Sequence, residues 1–109
     1  MFRTSLIILS GLASMFVSAA AAQPAPLTCS GSLLDPSGST PSPTTATLAL
    51  GPPVSIDTAN GPRRASIVSN NKLQLKFRTK DFTGEYFHYT GDLFLIYRSG
   101  HLARLMCSR

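Results

Sequence analysis

Acidic residues are scarce in this chain: Asp and Glu together number 5 of 109 residues, against 10 Lys and Arg, and there are only 2 histidines and 2 cysteines. Each scarcity removes a kind of chemistry. A common metal site needs three or four converging His, Cys, Asp or Glu ligands. His88 and His101 fall on different expected strands, and even with Asp92 beside them they read as ordinary strand residues, so neither a metal nor a cofactor is expected. The cysteines are not in a Cys-x-x-Cys spacing, which argues against thiol redox chemistry. No Gly-x-Ser-x-Gly elbow, phosphate loop, dinucleotide fingerprint or zinc spacing occurs. Asp81 and Glu85 flank an expected turn at 82–84, where acids face solvent and do not form a glycosidase pair. The expectation is a protein that is not an enzyme; a small hydrolase without a recognisable motif is the alternative.

Positive charge is also missing from part of the chain. Between Gln23 and Pro62 there is no Lys or Arg; every basic residue after Arg3 lies from Arg63 onward. Ahead of this, Arg3, the uncharged apolar stretch through Val17 and the run of alanines ending at Ala22 follow the plan of a cleavable secretory signal. The apolar part is too short to span a bilayer comfortably, and polar sequence follows at once. Residues 1–22 are therefore expected to be removed, leaving one small domain, 23–109, without a membrane span, secreted or periplasmic. No cysteine follows the apolar run closely enough for a lipid anchor.

Cys29 and Cys107 stand near the two ends of that domain, and two cysteines in a small exported chain read as one disulfide. Closing so long a loop is worth ~4.5 kcal/mol by chain entropy, commonly reduced to ~2 to 4 by native strain.

Strand patterns fill the rest. Leu73, Leu75 and Phe77 alternate with Lys72, Gln74, Lys76 and Arg78, a period of two that no helix produces. Residues 85–90 and 93–98 are aromatic and β-branched around a turn at Thr90, Gly91 and Asp92, and 101–107 returns after Ser99 and Gly100. Weaker candidates lie at 27–33, 44–50, 54–57 and 65–69, and 35–45 should be a mobile surface loop. The fold expected is all-β: an antiparallel barrel of about eight strands, or a sandwich, tied by the disulfide.

What remains as a site is a basic stripe. Lys72, Lys76 and Arg78 should share one face of a strand with Lys80 just beyond, near Arg63, Arg64, Arg98, Arg104 and Arg109 and the aromatics Tyr86, Tyr89 and Tyr97. Such a stripe attracts anionic polymers. An exported protein meets anionic envelope or extracellular macromolecules sooner than nucleic acid, so a monomeric binding module for such a partner is expected. The bland alternative is a solvated face that keeps a sheet soluble.

An exported domain of this size, β-only in pattern with cysteines near both ends, is similar in outline to the periplasmic inhibitors of c-type lysozyme, small eight-stranded barrels closed by a disulfide. The resemblance implies a barrel fold and, as an alternative function, inhibition of a cell-wall hydrolase through loops at one barrel end. The family's Ser-Gly-x-x-Tyr stretch is not present: Thr83, Gly84, Glu85 and Tyr86 echo it one residue short, and no site residue is carried over. A basic inhibitor would also be repelled by a basic lysozyme.

Overall fold

The computed structural model describes residues 25–109; the expected signal peptide lies outside them. The described chain is all-β: β1 (Leu27–Leu34), β2 (Ser42–Ala49), β3 (Ser55–Thr58), β4 (Gly61–Arg64), β5 (Ser66–Asn70), β6 (Gln74–Arg78), β7 (Phe82–Phe87), β8 (Asp92–Tyr97) and β9 (Leu102–Ser108). All pairings are antiparallel, and the sheet order is β4-β3-β2-β1-β9-β8-β7-β6-β5. The two edges of that order, β4 and β5, are separated in sequence by Ala65 alone. The course from Gly61 to Asn70 pairs with β3 in its first part and with β6 in its second. Counted as one stave, it makes a nearly closed barrel, as expected from the sequence.

Alternation explains which side chains fill the barrel. Leu75, Phe77, Phe82, Tyr86, Leu93, Leu95, Ala103 and Leu105 point inward and are buried, and Leu27, Cys29, Leu48 and Ile56 meet them from β1, β2 and β3. Burying each of the large ones contributes about 1.5–3 kcal/mol. Phe77 pairs across the ladder with Gly84, and a Cβ at Gly84 would stand 2.2 Å from the Phe77 ring. Gly31 pairs with Leu105, and a Cβ there would stand 1.9 Å from the Arg104 carbonyl oxygen, so glycine lets β1 approach β9 closely.

That approach carries the disulfide. Cys29 and Cys107 are directly opposed on β1 and β9, 4.0 Å apart at Cα and 78 residues apart in sequence. The bond ties the first strand to the last, inside the wall. Structural disulfides of this kind form and persist chiefly in oxidising, extracytoplasmic compartments.

Several sequence expectations are corrected. β6 begins at Gln74: the Asn71 Oδ1 accepts from the amides of Leu73 and Gln74, both at 2.9 Å, and this turn takes Leu73 out of the core to 65 % exposure. Residues 82–84 are strand, not turn, because the Thr79 hydroxyl caps the turn earlier by accepting from the amides of Asp81 and Phe82. The next turn accordingly comes at 88–91, where the Gly91 amide donates to the Phe87 carbonyl at 2.9 Å with Gly91 at a φ of 82°. The first loop is shorter than 35–45, since Ser42–Thr45 already pair within β2.

Candidate functional site

In a meander, alternate connections share one end. Here the β1–β2, β3–β4, β6–β7 and β8–β9 connections meet at one mouth of the barrel, and the start of β1, the end of β9 and the β2–β3, β5–β6 and β7–β8 connections lie at the opposite end. Two adjoining depressions of about 290 Å³ each open at this mouth, sharing Asn60, Tyr97 and Ser99. Lys80, Asp81 and Arg98 complete one, and Leu33, Thr44, Thr58 and His101 help to line the other.

Several of these residues are fixed by local contacts. Tyr97, the last residue of β8, packs its ring against Phe82 at 5.0 Å between centroids, tilted by 56°. Burial raises the Tyr97 phenol above its ordinary value, and the Asp81 carboxylate adds to that shift. Ser99 and His101 are linked by a hydrogen bond of 2.9 Å between the hydroxyl and Nδ1. Arg98 is anchored through its amide, which donates to the Asp81 carbonyl at 3.1 Å.

The carboxylates of the mouth are already occupied. Arg63 pairs with Ile56 on the inward face of β4 and donates from Nε to Asp81 Oδ2 at 2.7 Å. Asp35 accepts from the Ser37 hydroxyl at 2.7 Å and from the Ser37 and Gly38 amides, and these bonds, the hydroxyl foremost, hold its carboxyl below the ordinary value. Among the described residues, Lys80 and Arg98 form no ion pair. The mouth thus offers two free cations, an aromatic ring and several hydroxyl and amide groups to whatever enters it.

The expected basic stripe is divided. Lys76 and Arg78 do project from the outer face of β6, but Lys76 Nζ lies 3.9 Å from Glu85 Oε2, which also accepts from Gln74 through its other oxygen. Lys72 sits in the turn before β6 and Lys80 in the turn after it, at opposite ends of the barrel. Of the four, only Lys80 belongs to the mouth. His88 and His101 are likewise separated: His88 Nε2 contacts Asn70 Oδ1 at 3.2 Å at the far end, and His101 stands at the mouth. Asn60, Tyr97, Arg98 and Ser99 were not singled out as a group from sequence, although the turns at Asn60–Pro62 and Ser99–Gly100 and the parity of a meander would have brought them together.

No family model, curated protein or solved structure gives a significant match to this chain.

Proposed function

We propose that this protein is an exported, non-catalytic binding module that holds an anionic polymer of the cell envelope or its surroundings at the barrel mouth. The observation that carries the reading is the pair of unneutralised cations, Lys80 and Arg98, lining one depression with Tyr97, Asn60 and Ser99 while Asp81 is engaged by Arg63. A cation pair beside an aromatic ring and hydroxyl and amide donors suits a saccharide bearing carboxylate groups: charge gives attraction, the ring gives a stacking face, and the neutral groups hydrogen-bond the sugar. Export rests on the signal-like residues 1–22 and on the disulfide.

The test is binding of residues 23–109, disulfide intact, to a defined polyuronate. Affinity should fall by roughly tenfold or more between low and physiological salt, as expected when several charges are screened. Lys80→Glu with Arg98→Glu should abolish it, and Lys72→Glu at the opposite end should leave it unchanged. Salt-insensitive binding, or loss confined to Lys76→Glu with Arg78→Glu, would overturn the mouth as the site. A second reading, inhibition of a cell-wall hydrolase through the same mouth, draws on the disulfide-tied barrel shared in outline with the lysozyme inhibitors. It predicts a stoichiometric complex that blocks turnover of a c-type lysozyme, and undiminished turnover at excess protein would remove it.

A further inference from the structure

The outer wall formed by β7, β8 and β9 carries several large apolar side chains among its charged ones. Alternation turns Glu85 and Phe87, then Asp92, Phe94 and Ile96, then Leu102, Arg104 and Met106 outward. Ile96 is 47 % exposed and Met106 53 %. Phe87 and Phe94 meet edge to face at 6.0 Å, and the Arg104 guanidinium lies 6.0 Å above the Phe94 ring. A groove of about 490 Å³ runs along this wall, lined by Asp92, Phe94, Arg104 and Met106 with Ser30 and Leu34 of β1. Large apolar side chains exposed together on one face mark an interaction surface.

We propose that this wall is the self-complementary interface of a two-fold dimer, its occupant a second copy of the chain. The argument is the arrangement of charge. Ladder registers put Phe94 opposite Arg104 and Asp92 opposite Met106, so these four outward side chains form the corners of one cell of the sheet, with the cation and the anion on one diagonal and the two apolar groups on the other. Among the described residues Asp92 and Arg104 are not paired with each other or with another charge. A two-fold axis along the apolar diagonal lays Phe94 on the second copy's Phe94 and Met106 on its Met106. The same rotation carries Arg104 onto the second copy's Asp92, twice over by symmetry. An isologous interface requires this kind of self-matching patch, and the alternation of charge selects this axis: an axis along the row of Arg104 and Phe94 would oppose like charges. Asp92, Phe94, Arg104 and Met106 line neither depression of the mouth, so the dimer carries two mouths and does not depend on what they bind.

The test is sedimentation of residues 23–109, oxidised, over a concentration series up to about 1 mM, the scale of weak association. The wild type is expected to show a reversible dimer. Arg104→Asp alone and Asp92→Arg alone each oppose like charges at the axis and should weaken association by about tenfold or more. Combining both exchanges the two charges and should restore the dimer. Because all these positions face outward, circular dichroism should show the wild-type β fold in every variant, while the thermal midpoint shifts with the loss of the dimer and, in Asp92→Arg, of the hydrogen bond from the Thr90 hydroxyl. A wild type that stays monomeric throughout, single variants that dimerise as before, or a double variant that remains monomeric would each overturn the proposal.

Discussion

At the scale of the residue, the barrel depends on where volume is withheld. Phe77 is fully buried and lies over Gly84 because no side chain occupies the opposing position. Gly84→Ala should therefore destabilise the protein by about 1–3 kcal/mol through overpacking, measured by urea unfolding. Gly84→Ala combined with Phe77→Leu should be less destabilised than the sum of the two single changes, because the smaller residue makes room for the methyl group. Strict additivity would show that the contact is not the constraint. Alternation in the sequence assigned Leu75 and Phe77 to the core correctly. It misassigned Leu73, because period-two patterning cannot see that the Asn71 carboxamide binds the next amides and ends the strand before that residue.

At the scale of the element, the least conspicuous strand decides closure. β4, with Gly61, Pro62, Arg63 and Arg64, contains no large apolar residue and carries no strand pattern of its own. It is a strand because β3 supplies its ladder and because Pro62, which lacks an amide donor, stands on an edge where none is needed. Its other flank has no ladder but is clamped by Arg63 to Asp81, with side chains 27 % and 36 % exposed. Arg63→Ala should cost no more than about 1 kcal/mol globally, as partly exposed ion pairs do. Locally it should speed amide hydrogen exchange through 61–65, while β8 and β9 keep their protection. Unchanged exchange in that segment would show that the backbone alone holds the stave. The hairpin of β8 and β9 was legible from aromatic and turn residues; the β7–β8 turn was displaced because residues 86–89 form an unbroken aromatic run, which marks a strand but not its end.

At the scale of the whole molecule, the barrel is two meanders joined by β1 and β9, the elements farthest apart in sequence. The disulfide crosses that joint. Cys29→Ala with Cys107→Ala should lower stability by ~2 to 4 kcal/mol, the range for long loops, while a folded β spectrum is retained below the new midpoint. A loss near zero would mean that the β1–β9 ladder and its core contacts suffice to hold the ends together.

The sequence by itself determined the class of this protein, an all-β chain with a closing disulfide, and the inward positions of Leu75 and Phe77, because alternation and cysteine position are local patterns. It did not determine the site. Lys72, Lys76, Arg78 and Lys80 are neighbours along the chain, yet an extended strand carries charges apart at more than 3 Å per residue, so the first and last reach opposite ends of the barrel. Lys80, Arg98 and Asn60 come from three separate connections and Tyr97 from the end of β8, and only closure of the barrel gathers them at one mouth.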